Sequence, residues 1–304
     1  MQKPIDRRGA RDTAYAVRHT VKLIRTSQEY ASLSTPLQSF LDAQLDGPAR
    51  IDGTTPSSAL PARLVSTQVL QAVAQLHFND LLGRNREPFL GTFSFLNGET
   101  GIGDCLRNVQ TTFSRVEAAL EHFGLEGVLI PDIDILLPAP SEQPIVAFHL
   151  HGILTGTEGR KVRLRRTAER IEKQIGWDSR LPDAIRLRGK LPGDLRLHAE
   201  NIATYAGKFV AAPKVPYEKG GNVCWRRDRG SNSAFLAIGA LCAWSQIPLL
   251  RMVKPIGTFG KSFQSSWLRK MRVARRVGQE VPEYAPNDEF CNWNEILCRF
   301  RQSS

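Results

Sequence analysis

Apolar residues recur at helical spacing over 1–45, as Val17, Val21 and Ile24 illustrate, and predict one or two helices there. The stretch 46–61 is rich in Gly, Pro, Ser and Thr and reads as an exposed connection. Helical period resumes over 64–82. Residues 88–96 (Pro-Phe-Leu-Gly-Thr-Phe-Ser-Phe-Leu) then carry the aromatic and apolar content of a strand, closed by Asn97-Gly98. A helix over 104–123 follows, with Leu106, Val109, Phe113, Val116 and Leu120 on one stripe. Two strands, 127–137 and 145–154, flank a Pro-rich loop at 138–144. Further on come a basic-faced helix over 163–175, a short strand near 184–187 and a helix over 198–210 that Pro213 and Pro216 end. An apolar helix over 231–250 precedes a basic, mixed remainder. The order predicts an α+β protein, a central antiparallel sheet with flanking helices and helical N- and C-terminal segments.

Composition narrows the class. The 304 residues are 41% hydrophobic and 23% charged, which excludes a disordered tail or a fibre; 41 Lys and Arg against 30 Asp and Glu leave a net charge of +11, which favours a polyanionic partner. The five cysteines (105, 224, 242, 291, 298) show no CxxC pair, so reduced, mostly buried thiols are expected rather than zinc ligands or disulfides. The charged N-terminus has no apolar run behind it. The most apolar stretch, 234–250, contains Ser245, Gln246 and Pro248 and is too short for a bilayer span, so no membrane partner is expected.

Candidate chemistry begins in Phe148-His149-Leu150-His151. Residues two apart on a strand share a face, so His149 and His151 project together and form a bidentate site for a divalent metal. The preceding strand carries Asp132 and Asp134 in the same relation. In an antiparallel hairpin, one natural register sets Asp134 opposite His149 and Asp132 opposite His151, within cross-strand contact. Glu142, in the loop, is a lesser candidate for the third ligand. Pro131 fits an edge or a bulge better than a fully paired strand. Downstream, Tyr205 and Lys208 are three apart on a helix and share a face. A phenol ionises near pH 10 and needs a neighbouring cation to become a nucleophile.

Together, His-x-His on a strand and Tyr-x-x-Lys on a later helix resemble the HUH endonuclease family. The order, metal motif first and tyrosine second, is similar to that of rolling-circle replication initiators of plasmids and phages and of some single-strand transposases. The strand at 89–96 stands in the place of the family's first motif, and the resemblance spans roughly 86–215. Phe148 stands where the initiators often have His or Pro, the loop between the strands is longer than usual, and only Tyr205 fits the nucleophile motif. Tyr217, in Pro-Tyr-Glu, is off the helical pattern, and no Walker-type phosphate loop occurs.

The resemblance implies a metal-dependent endonuclease and ligase of single-stranded or origin hairpin DNA. Mg²⁺ or Mn²⁺ would be held by His149, His151 and an acid, Asp134 or Asp132. Tyr205 would attack to form a 5′-phosphotyrosine, Lys208 would stabilise charge on the phosphate, and His198 is a lesser candidate proton acceptor. It further implies a bacterial cytoplasmic protein working with a host helicase and polymerase.

Basic segments would hold the DNA. Residues 160–196 carry twelve Lys and Arg against five acids, and 251–276 carry eight and no acid. Arg163, Arg165, Arg166, Lys261, Arg269, Lys270 and Arg272 are the candidate contacts, with Phe259, Phe263 and Trp267 interleaved as a stacking surface would need. By contrast, 98–146 is acidic, with two basic residues and eight acids. The expected organisation is a helical segment 1–85, a nicking domain 86–215 and a basic, mostly helical region 216–304.

Overall fold

The computed structural model describes residues 8–46, 51–94, 105–136, 145–175, 185–189, 199, 201–204, 206, 214–219, 222–227 and 234–274. The chain runs α1 (Arg8–Arg25), α2 (Gln28–Ala31), α3 (Thr35–Asp46), α4 (Leu60–Gly83), β1 (Phe89–Ser94), α5 (Cys105–His122), β2 (Leu125–Leu136), β3 (Ile145–Gly156) and α6 (Leu164–Ile175). It continues through β4 (Ile185–Arg188), β5 (Lys214–Lys219), β6 (Asn222–Arg227), α7 (Ala234–Ser245), β7 (Lys254–Ile256) and α8 (Gly257–Ala274). Helical conformation is also present at 199, 201–204 and 206.

The α+β expectation and the antiparallel sheet are both present. Five antiparallel strands lie in the order β4-β1-β3-β2-β7, and the β5–β6 hairpin joins β2 through one parallel pair, Leu136 with Lys214. The hairpin and β7 were not expected from the sequence, which assigned 216–304 as mostly helical. Pro216 therefore sits in a strand rather than ending a helix, opposite Trp225. Pro131 falls between the part of β2 paired to β7 (127–129) and the pair at 136, where among the described residues β2 is paired on the β3 side alone. A residue without an N–H removes no bond from a neighbour there.

Register sorts the two faces. Glu126, Val128, Ile130 and Asp132 share one face with Thr155, Ile153, His151 and His149; Leu125, Leu129 and Ile133 take the other. Glu126 Oε2 accepts from the Phe259 amide at 2.7 Å, which sets α8 on the histidine face. Lys254, paired with Leu129, reaches Glu117 of α5 at 3.2 Å, which sets α5 on the opposite face.

Two close approaches hold the helices to β2. A Cβ on Gly260 would lie 1.9 Å from the Gly127 carbonyl oxygen, so α8 crosses β2 backbone against backbone. At the end of α4, Asn85 takes a left-handed conformation (φ 56°) and the Arg86 amide donates to Leu81 O at 2.8 Å. This Schellman-type stop turns the chain into β1 and brings Arg86 Nη2 to Glu126 Oε1 at 3.3 Å. The helix α4 is apolar nearly all round and is buried along much of its length, as a central helix should be. No helix of the described residues is long and apolar enough to cross a membrane.

Candidate metal centre

The site follows from strand alternation. His149 and His151 fall on one face of β3 because they are two apart, while Leu150 packs on the other. β2 contributes Asp132, which lies directly opposite His149. Asp132 Oδ2 is 3.0 Å from His149 Nε2 and 3.2 Å from His151 Nε2, and the two Nε2 atoms are 3.1 Å apart. All three residues are buried, His151 completely. They are a group that can hold a metal ion.

The donor set passes a geometric test for a divalent cation. With ligand bonds of roughly 2.1 Å, donors on edges of 3.0–3.2 Å subtend about 95° at a common centre. Two imidazoles and one carboxylate at this spacing would suit a cation such as Mg²⁺ or Mn²⁺. Outer partners fix the ligands: Thr92 Oγ1 on β1 lies 3.4 Å from His151 Nδ1, and the Ile133 amide donates to Asp132 Oδ1 at 3.0 Å. Such partners set the ring tautomer and the orientation of the carboxylate.

The register corrects one expectation. The ladder is displaced by two residues from the one expected, so Asp134 pairs with Ala147 and His151 pairs with Ile130. An even displacement keeps every side chain on its face, which is why Asp132 still meets both histidines while Asp134 is carried away from them. Glu142, His198, Tyr205 and Lys208 lie outside the described residues.

Of the helix expected over 198–210, residues 199, 201–204 and 206 are described and are helical; Ala199, Ile202, Ala203 and Ala206 are buried, and Gln71 Nε2 of α4 donates to Thr204 Oγ1 at 2.5 Å. Tyr217 stands half-buried on β5.

The basic candidates are at the surface. Arg163, Arg165 and Arg166 are exposed, as are Lys261, Arg269 and Arg272, with Lys270 half-buried. The interleaved aromatics are not. Phe259, Phe263 and Trp267 are buried at spacings of four on α8, so they belong to the core and offer no stacking surface.

One residue near the site has no sequence signal. Arg63 of α4 is buried, with its guanidinium carbon 3.8 Å from the Trp244 ring centroid and Nη1 donating to Ser57 O at 3.3 Å. Ser57 is itself tied to α7 and the residues after it, through Trp244 O at 2.7 Å and Ile247 O at 2.8 Å. Burial pulls the Arg63 guanidinium down to about 10 against the attraction of Asp132. It therefore stays charged at neutral pH and is attracted to the Asp132 carboxylate.

Comparison of the chain with protein-family models, curated proteins and solved structures gives no match.

Proposed function

We propose that the protein is a metal-dependent DNA strand transferase that nicks and rejoins single-stranded DNA, as an initiator of rolling-circle replication. The observation that carries the reading is the convergence of Asp132, His149 and His151 within 3.2 Å on one face of an antiparallel sheet. The Tyr205 and Lys208 motif of the resemblance supports it, and so do the exposed arginines of 163–166.

Asp132, His149 and His151 would hold Mg²⁺ or Mn²⁺, which when bound neutralises and polarises a scissile phosphodiester. Tyr205 supplies the nucleophile. Its phenolate oxygen bonds to phosphorus as the bond to the 3′ oxygen breaks, giving a 5′-phosphotyrosine and a 3′-hydroxyl after that oxygen takes up a proton. Lys208 offsets the charge on the non-bridging oxygens. Reversal joins ends without ATP, because the phosphodiester is conserved in the tyrosine ester. Thr204 and Ala203 seat the helical residues beside Tyr205 against α4 and the core. The partners that follow are single-stranded or hairpin DNA and a host helicase and polymerase in the bacterial cytoplasm. A single-strand transposase would use the same steps.

The test is incubation with Mn²⁺ and a pool of single-stranded oligonucleotides, followed by denaturing electrophoresis. A covalent adduct that disappears in Tyr205→Phe and in His149→Ala/His151→Ala supports the reading. Turnover of a phosphoester without any adduct would instead make the centre that of a metal-dependent hydrolase.

A further inference from the structure

The histidine face of the sheet is covered unequally. Over β2 and β3 it is closed: Asp132, His149 and His151 are buried, as are Val128, Ile130 and Ile153. Over β1 the burial alternates, with Phe89, Gly91 and Phe93 buried on the opposite face and Leu90, Thr92 and Ser94 only partly covered on the histidine face. On β4, the outermost strand in the recorded order, Arg186 and Arg188 are exposed.

Register aligns these positions into rows. Arg186 pairs with Thr92, which pairs with His151; Arg188 pairs with Leu90, which pairs with Ile153. Ser94 pairs with His149, which pairs with Asp132. Paired residues share a face, so both arginines stand on the face that carries the metal ligands. Two strand spacings, about 10 Å, separate the Arg186 and His151 backbones. Between them the face carries Thr92, with Ser94 in the next row opposite His149; both are half-buried hydroxyl side chains. The helix α6 flanks the same edge by packing on β4, and presents Arg165 and Arg166 to solvent.

We propose that the β4–β1 side of the histidine face is the lane along which a single-stranded DNA backbone reaches the metal centre, with Arg186 and Arg188 binding its phosphates. This assignment rests on the nicking reading above and adds to it where the strand enters. The chemistry is that of a flexible polyanion. Two guanidinium groups on alternate positions of one strand can each take a phosphate bidentately, and β4 is the outermost strand of the sheet among the described residues. A backbone held at Arg186 would lie beside Thr92, one strand away from His151. Such contacts position the strand and carry no base information.

The test is fluorescence anisotropy of a labelled oligothymidylate across a series of salt concentrations. It compares the full-length wild type, Arg186→Gln/Arg188→Gln and a matched Arg18→Gln/Lys22→Gln double variant on α1, with Mn²⁺ affinity and covalent adduct measured in parallel. Loss of two phosphate contacts makes the slope of log affinity against log salt shallower by about 1.4 and weakens binding on the order of tenfold at low salt. Mn²⁺ affinity and the α1 variant should stay at wild-type values. An unchanged slope in the β4 variant, or an equal loss in the α1 variant, overturns the lane, even where the wild type forms the adduct. A wild type that forms no adduct but whose binding depends on Arg186 and Arg188 overturns the nicking reading and leaves the lane standing.

Discussion

Asp132 lies directly across the β2–β3 ladder from His149, its Oδ2 3.0 Å from His149 Nε2. The same oxygen is 3.2 Å from His151 Nε2, so one carboxylate completes a three-donor set with two imidazoles. Asp134, paired with Ala147, stands one alternation further along. The two acids are therefore chemically alike and positionally unequal. Asp132→Asn should weaken Mn²⁺ binding by a hundredfold or more, since it removes the only anionic ligand of the set; loss of a partner outside the ligand set typically costs 10–100-fold. Asp134→Asn should change it by less than threefold. Titration calorimetry on both variants checks this, and equal losses would move the third ligand away from Asp132.

How far the site could be seen in the sequence depends on which physical rule fixed each part. The pairing of His149 with His151 follows from the two-residue period of a strand, which no loop length can alter. The partner across the ladder depends on how the chain turns between 136 and 145, and residue types in a long Pro-rich loop do not set that register. Phe259, Phe263 and Trp267 illustrate a second limit: a basic helix with aromatics every four residues is written identically for a core stripe and for a stacking surface. The β5–β6 hairpin had a signal that Pro216 concealed, the Gly220-Gly221 pair between two apolar-containing runs. Arg63 had none, because nothing in Pro-Ala-Arg-Leu-Val marks an arginine for burial. Its place depends on Trp244 and Asp132, both distant in sequence.

Arg63 and Asp132 are both buried, and their opposite charges attract in the folded protein. Arg63→Met removes a buried cation that offsets a buried carboxylate, and such a loss costs on the order of 3 kcal/mol. The metal-free variant should melt well below the wild type. Added Mn²⁺ should raise its melting temperature by more than it raises that of the wild type, because a cation at Asp132 restores the missing charge. Thermal scans with and without Mn²⁺ read both effects, and an equal metal-induced shift in the two proteins would separate Arg63 from the centre.

His77 should make the α4–α8 contact sensitive to acid. Its Nε2 lies 3.1 Å from Ser266 Oγ, its ring packs on Phe259 and Phe263, and burial holds it below the ordinary histidine range while Asp80 pulls it up. A group depressed in the folded state stays neutral where the unfolded chain takes up a proton. Its contribution is then present above about pH 6.5 and is lost as pH falls through the lower folded value. His77→Gln should flatten that part of the stability profile between pH 7.5 and 5, as measured by urea midpoints. A profile unchanged by the substitution would assign the acid sensitivity elsewhere.

The crossing of α8 over β2 tolerates no side chain at Gly260, where a Cβ would fall 1.9 Å from Gly127 O. Gly260→Ala should destabilise the fold by about 2 kcal/mol or more, the cost of forcing packed backbones apart. Gly83→Ala, at the end of α4 with nothing within 4 Å of the new Cβ, should be neutral or stabilising by up to about 1 kcal/mol. Urea denaturation of the pair distinguishes a steric crossing from a general intolerance of alanine.

The most direct measurement is the mass of the protein recovered after reaction with Mn²⁺ and single-stranded oligonucleotides. The metal-centred strand-transfer account predicts an added nucleotide fragment on the peptide that contains Tyr205, a free 3′-hydroxyl on the released strand, and neither product in Tyr205→Phe or Asp132→Asn. An unmodified Tyr205 peptide in a wild-type protein that binds both Mn²⁺ and DNA, or an adduct that survives Tyr205→Phe, would contradict it.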